Sequence, residues 1–200
     1  MTSRPGAEED ERTVLAALAD RGLLLVQDKT LPNVAALLTG APVRGSWWGH
    51  PQSKRIFRTL RRLSEHRDVL FCKLIGGKVT LIHRRLWPAF LGAATSREPW
   101  QTRGLPPGAR TILSKADRSG HLEAAGPAVK ELERRLLVLA NEEHSESGAH
   151  KMIVESWTRW AASSGAPAPL TPARGKEVLE EAAAGLGAKP ASLPWRSDGT

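Results

Sequence analysis

The sequence has a single cysteine, Cys72. One cysteine excludes an internal disulfide and any zinc site that is built from several cysteines. No apolar run approaches the roughly 18–20 residues that a membrane-spanning helix requires. The stretch from Met1 to Arg12 is polar and acidic, and it lacks the apolar core of a signal peptide. We therefore expect a soluble, cytoplasmic protein without disulfides.

The usual catalytic motifs are missing as well. The chain has no G-x-S-x-G elbow, no HExxH motif and no dinucleotide fingerprint. Gly175 and Lys176 lack the preceding glycine and the following Ser or Thr of a phosphate-binding loop. Cys72 lies in an apolar run, which favours a small buried side chain over a nucleophile. We expect no cofactor, no bound metal and no catalytic residue.

What is present is a globular composition with an uneven distribution of charge. Hydrophobic residues make up 40% and charged residues 25% of the 200 residues, which suits one domain or two small ones. The net charge is +8, and residues 51–100 alone carry eleven Lys and Arg against three Asp and Glu. Such a concentrated basic region predicts a polyanionic partner, most often nucleic acid. The alternative is an Arg-rich surface that serves no partner.

Apolar spacing and turn residues divide the first half into helices and one hairpin. The clearest signal is Gly76-Gly77 between two β-rich runs, because primed hairpin turns require positive φ. Thr30 is the expected cap of the second helix, and Gly40 its end. In order, the predicted elements are a helix within 11–25 that closes at Gly22, a helix over 30–40, a helix over 52–66, strands over 69–75 and 78–83, and a helix over 84–94.

The second half repeats this order in outline. Pro127 begins a helix, and Trp157 and Trp160 lie on one face of a closing helix. The predicted elements are a helix over 107–116, a linking piece over 120–125, a helix from 127, strands over 136–140 and 150–154 around a polar turn, the closing helix, and a last helix over 173–184. The predicted organisation is a flexible N-terminus (1–9), a first unit (10–95), a linker (96–108), a second unit (109–164), and a linker, helix and tail (165–200).

This tandem pattern, with Gly45-Ser-Trp-Trp-Gly-His-Pro51 before a basic helix, resembles uncharacterised bacterial tandem winged-helix proteins. It is also similar in architecture to the winged-helix repeats of bacterial DNA glycosylases that unhook interstrand crosslinks. The resemblance covers about residues 10–164. It implies an α+β, mostly helical fold: two winged-helix-like units, each of three helices and a β-hairpin, and a C-terminal helix. The implied function is DNA binding, regulatory or ancillary to DNA repair.

Catalysis does not follow from this resemblance. Those glycosylases carry a short catalytic motif that contains glutamine. In this chain Gln27, Gln52 and Gln101 each stand alone, with no second glutamine or aspartate two positions further on.

The best candidate site is the basic helix over 52–67 together with the hairpin over 69–83. Apolar Ile56, Phe57, Leu60 and Leu63 should form one face of the helix, and cations the other. Lys73 is expected to face solvent while Phe71 faces the core. Lysine and arginine neutralise phosphates, and arginine also reads guanine edges. The predicted nucleic-acid-binding residues are Lys54, Arg55, Arg58, Arg61, Arg62, Lys73, Lys78, His50 and Trp48.

The paired tryptophans before the basic helix are expected to play different parts. We predict that one of Trp47 and Trp48 anchors the core while the other stays partly exposed beside the basic face. The exposed ring could stack on a base. His50, just before Pro51, is expected to cap the helix or to contact a phosphate.

Two alternatives stay open beside binding of duplex DNA. The string from Glu142 to His150 contains two histidines and several carboxylates, which could serve a glycosylase or nuclease through a metal ion. Its spacing fits no familiar metal site, so a polar wing is the simpler interpretation. The third hypothesis is a protein-interaction module with an acidic partner.

Overall fold

A computed structural model describes residues 5–144 and 150–196. The helices are α1 Pro5–Arg21, α2 Val34–Thr39, α3 Ser53–Ser64, α4 Trp87–Ala94, α5 Pro99–Thr102, α6 Pro107–Ser119, α7 Pro127–Arg134, α8 Trp157–Ser164 and α9 Pro172–Gly185. The strands are β1 Leu23–Leu25, β2 Val69–Ile75, β3 Lys78–His83, β4 His121–Glu123, β5 Leu139–His144 and β6 His150–Glu155. The expected α+β, mostly helical class is confirmed.

The first sheet has the strand order β1-β3-β2, and every pair of neighbours is antiparallel. The predicted hairpin is confirmed with its bounds, and its turn residues Gly76 and Gly77 have φ of 58° and 67°. The predicted end of the first helix at Gly22 is confirmed, but the edge strand β1 over Leu23–Leu25 was not predicted. Gly22, with φ of 81°, ends α1, and the three buried leucines then pair with β3.

The second sheet repeats this order as β4-β6-β5. The expected linking piece over 120–125 contains β4, whose His121 pairs with Glu155 of β6. A strand of three residues is too short to show an alternating pattern, and it exists only because the hairpin beside it offers partners. Each predicted two-stranded hairpin is therefore part of a three-stranded sheet.

The N-terminal cap of α2 is Asn33 and not Thr30, which corrects the prediction. The Asn33 Oδ1 atom accepts a hydrogen bond from the Ala36 N–H at 2.9 Å. Thr30 lies earlier, where its own N–H donates to Asp28 Oδ1 at 2.9 Å. The predicted end at Gly40 is confirmed, with φ of 80°.

Two clusters of buried residues are found among the described residues. The larger one combines the first unit, including α4, with α9 and parts of the second half, including Trp157. The smaller one lies between α6, α7 and the second sheet. The predicted linker over 96–108 contains α5, where the fully buried Gln101 side chain donates to the carbonyl oxygens of Ala94 (2.8 Å) and Arg135 (3.2 Å).

The C-terminal segment packs on the first unit. Helix α9 crosses α4 closely, since a Cβ atom on Gly175 would lie 2.5 Å from the Ala89 carbonyl oxygen. Leu193 is buried, and the Ser192 carbonyl accepts a hydrogen bond from the Gly76 N–H at 2.7 Å. The tip of the first hairpin is therefore held by the chain's last described segment. Within the described residues, no helix combines the length and the apolar character needed to cross a bilayer.

Candidate nucleic-acid interface

Helix α3 has a buried face formed by Ile56, Thr59 and Leu63. These residues are three and four positions apart, so they lie on one side of the helix. Phe57 was expected on this face, but 47% of its surface is exposed, and that prediction is wrong. Its position is one residue, about 100° of helical rotation, beyond Ile56 and therefore outside the buried stripe.

The opposite face of α3 carries an exposed row consisting of Lys54, Phe57, Arg58 and Arg61, here named the α3 stripe. Arg58 Nε donates to the Lys54 carbonyl oxygen of its own helix, at 3.2 Å. Arg61 Nε lies 3.7 Å from Glu65 Oε1, a loose pair in which both side chains are more than two-thirds exposed. In the described part of the chain, no carboxylate forms an ion pair with Lys54 or Arg58. The stripe therefore offers its cations to solvent.

Arg55 and Arg62 were predicted to face solvent, but both bind carboxylates of α1. Arg55 donates from Nε to Asp10 Oδ2 at 2.8 Å, and Arg62 Nε donates to Glu11 Oε2 at 2.6 Å. The hydrogen bond to Asp10 raises the pKa of Arg55. The sequence pattern did not indicate these ion pairs, because the acids lie on the N-terminal helix, far away in the sequence. Both arginines therefore form ion pairs that connect α3 with α1.

The two hairpin lysines are engaged as well. Lys73 Nζ donates to Glu133 Oε2 of α7 at 2.7 Å, and Lys78 Nζ donates to Asp28 Oδ2 at 2.6 Å. Lys73 and Phe71 are both half-buried on one face of β2, so their expected placement on opposite faces is wrong. Residues two apart in a strand share a face.

The carboxylate of Asp28 binds Lys78 of the first hairpin. Burial would raise the pKa of this carboxyl group, but hydrogen bonds from the Leu31 N–H, the Lys78 ammonium group and the Thr30 N–H lower it well below its usual range. A carboxylate held in this way stays ionised, and Lys78 is its counter-charge.

The predicted difference between the two tryptophans is confirmed. Trp47 is half-buried and packs against the larger core, whereas 63% of the Trp48 surface is exposed. Their ring centroids are 4.0 Å apart with an interplanar angle of 25°, so the two indoles are stacked. The Nδ1 atom of His50 accepts a hydrogen bond from the Gln52 N–H at 3.1 Å. The expected capping role of His50 is wrong, because Gln52 holds the N-terminal cap position of α3 and no side chain bonds there to the first turn.

Gln27 fixes this tryptophan loop, a role that the sequence did not predict. Its Nε2 atom donates to the Gly45 carbonyl oxygen at 2.6 Å, and its Oε1 atom accepts from the Trp47 N–H at 3.1 Å. Ser46 Oγ accepts from the Trp48 N–H at 3.4 Å. No local signal indicates that a glutamine will bind a loop some twenty residues further on.

A shallow groove connects the exposed indole with the α3 stripe. Its lining residues are Trp48, Ser53, Lys54, Phe57 and Arg58. The rings of Trp48 and Phe57 are 5.7 Å apart between centroids and tilted by 43°. The groove thus combines aromatic surface, a hydroxyl group and two cations, and its lining includes no carboxylate.

Cys72, which the sequence analysis considered as a nucleophile, does not line this groove. Cys72 is buried as predicted, and burial raises the pKa of its thiol, which keeps it protonated. The side chains of the string from Glu142 to His150 lie outside the described residues. Among the residues that are described, no group of three His, Cys, Asp or Glu side chains could hold a metal ion.

Comparison with protein-family models, with curated proteins and with solved structures returns no match for this chain.

Proposed function

We propose that this chain is a DNA-binding protein of the winged-helix type, regulatory or ancillary to DNA repair, that grips duplex DNA through α3. The order α1-β1-α2-α3-β2-β3 suits a winged helix, in which the third helix reads DNA and the hairpin forms the wing. The order α6-β4-α7-β5-β6 suits a second, reduced unit with one helix fewer before its hairpin.

The observation that carries the proposal is the α3 stripe. Its three cations lie on one exposed helix face and are not neutralised by a close carboxylate among the described residues, apart from the loose Arg61–Glu65 pair. From Lys54 to Arg61 the stripe extends about 10 Å along the helix axis. The DNA major groove is about 12 Å wide and admits an α-helix with such a face. Phosphate neutralisation by these side chains would supply most of the affinity.

The proposed contact surface is smaller than the basic region of the sequence. Arg55, Arg62, Lys73 and Lys78 hold elements of the fold together through ion pairs. The hairpin tip is held by Ser192. We therefore assign DNA contact to the α3 stripe and to Trp48, and a structural role to the other cations.

The test is a titration of duplex DNA at several salt concentrations with the triple variant Lys54→Ala, Arg58→Ala and Arg61→Ala. Each phosphate contact that is lost should lower the slope of log affinity against log salt by about 0.9, so the three together lower it by about 2.7. The fold should be unaffected, because these side chains are exposed and, within the described ranges, make no bond to another element.

The matched control is the triple variant Arg110→Ala, Lys115→Ala and Arg118→Ala, which removes the same charge from an exposed face of α6. Its salt slope should stay close to that of the unmodified protein. Equal losses in both triple variants would show that net charge drives binding, and would contradict a site on α3.

A protein-interaction module with an acidic partner is the second candidate. The exposure of Trp48 and Phe57 favours it, because apolar rings next to cations also suit an acidic peptide. The two candidate functions differ in whether the indole of Trp48 contacts DNA or an acidic peptide.

A further inference from the structure

We propose that Trp48 is a stacking platform for one unpaired base, so that the protein prefers duplex DNA with an extrahelical base to fully paired duplex. This inference rests on the proposed DNA binding by α3. It assigns to the indole a ligand that the cations of α3 alone would not select.

The first support is that the indole is exposed and yet fixed. A tryptophan usually buries much of its large apolar surface, but 63% of Trp48 is open to solvent. The loop that carries it is held by the Gln27 side chain at Gly45 and Trp47 and by the Ser46 hydroxyl at Trp48. An exposed ring on an ordered loop loses little conformational freedom when a ligand binds.

The second support is the stacked geometry. Trp48 lies on Trp47 at 4.0 Å with only 25° between the planes, and Trp47 rests on the core. A base placed on the open side of Trp48 would add a third layer to this stack. Bases in paired duplex present only their edges to a protein in the groove, so the face of the indole can be used only by a base that has left the stack.

The third support is the charge around the ring. Lys54 and Arg58 line the same groove as Trp48, together with the Ser53 side chain. Single-strand binding sites combine an aromatic platform with cations that follow the backbone. The groove can therefore hold the base on the indole while the adjacent phosphates meet the ammonium and guanidinium groups.

The experiment compares two probes that have the same sequence and the same ends. One is fully paired, and the other has a single 2-aminopurine nucleotide bulged out at its centre. The unmodified protein should bind the bulged probe on the order of tenfold more tightly, and the fluorescence of the 2-aminopurine should fall as the base stacks. Trp48→Ala should remove both the preference and the fluorescence change, so that the two probes bind with the same affinity.

Two variants serve as controls. Trp48→Phe keeps an aromatic face and should retain part of the preference. Leu170→Ala removes an exposed apolar side chain from another segment, and it should change neither the preference for the bulged probe nor the fluorescence signal. The melting temperature of each Trp48 variant should match that of the unmodified protein, because the indole is mostly exposed.

The remaining outcomes separate this inference from the proposed DNA binding on which it rests. Equal affinity for both probes, with salt-dependent binding that needs the α3 stripe, would overturn the base platform and leave DNA binding intact. Absence of binding to either probe would overturn both. Binding of poly-glutamate that depends on Trp48, without DNA binding, would assign the surface to an acidic protein partner.

Discussion

Helices α3 and α7 hold corresponding places, each directly before the hairpin of its unit, but they meet different surroundings. The outer face of α3 is open to solvent. Helix α7 lies against the first unit, where its Glu133 binds Lys73 of β2 at 2.7 Å. Its Glu131 accepts from both Arg134 and Arg135. Two helices in equivalent places thus differ in their charged surroundings, because α7 carries acids beside its own cations, whereas the α3 stripe has only the loose Arg61–Glu65 pair among the described residues.

The cations of the basic region, residues 51–100, also differ in whether a carboxylate of another segment binds them. Arg55, Arg62 and Lys78 are bound by acids that come from the first fifty residues, and Lys73 by an acid of α7. A charge count along the chain adds all of these cations to the basic excess, although the fold places a carboxylate on each. The cations of the α3 stripe are exposed instead, with the loose Arg61–Glu65 pair as their one ion pair among the described residues. The acids that pair with the other cations lie far away in the sequence, so the fold determines which positive charges remain at the surface.

The largest expected effect comes from the contact that closes the second unit onto the first. Trp157 is buried, packs edge-on against Phe90 at 4.7 Å, and donates from Nε1 to the Leu136 carbonyl oxygen at 2.8 Å, just after α7. Trp157→Ala should lower the free energy of unfolding by about 3–5 kcal/mol, because it leaves a cavity and removes the shorter of the two side-chain hydrogen bonds to the Leu136 carbonyl. Urea denaturation measures this loss.

Trp157→Phe is the matched variant, since it keeps a ring and removes only the N–H donor. Its loss of stability should be clearly smaller than that of Trp157→Ala. A loss below about 1 kcal/mol in Trp157→Ala would mean that this contact does not hold α7 in place.

An intermediate effect is expected from the Asp28–Lys78 ion pair. The proposed function gives Lys78 a structural role and no DNA contact. The folded state lowers the pKa of Asp28, so its stabilisation is present above the unfolded pKa of about 4 and is lost as the pH falls below that value. Asp28→Asn should lower the free energy of unfolding by about 1–3 kcal/mol at pH 7. The gap between variant and parent should narrow below pH ~4.

The control for this pair is DNA affinity at pH 7, under conditions where the Asp28→Asn variant is folded. Affinity should not change, because Lys78 is not part of the proposed contact surface. A gap in stability that is the same at every pH would show that the carboxylate charge contributes nothing.

Local signals in the sequence predicted most of the helices and the first hairpin, but α5 lies in the predicted linker and the strand expected over 136–140 is found at Leu139–His144. The Gly76-Gly77 turn and the capping residue Gly40 follow from backbone conformations that few other residues adopt. The apolar spacing of α3 places Ile56 and Leu63 correctly. The edge strands β1 and β4 could not be predicted, since three residues carry no period and depend on a partner strand.

The candidate site was predicted in part. Lys54, Arg58, Arg61 and Trp48 are exposed as a binding role requires. Whether a cation is paired depends on chain segments brought together by folding, as with Arg55 and Asp10, and no window along the sequence contains both residues. The contact of Gln27 with the tryptophan loop is of the same kind. Side-chain identity predicted the chemistry, and tertiary structure decided which residues are available for it.

The smallest expected effect is the sharpest test of the comparison between the two helices. The double variant Lys130→Ala and Arg134→Ala removes two exposed cations from α7, and Arg58→Ala with Arg61→Ala removes two from α3. Because Glu131 and Glu133 lie on α7, we expect the first variant to change DNA affinity by less than about twofold and to leave the salt slope unchanged. The second should lower the slope by about two. Equal slopes for the two double variants in the same salt titration would show that DNA does not distinguish α3 from α7, and the assignment of the site to α3 would be lost.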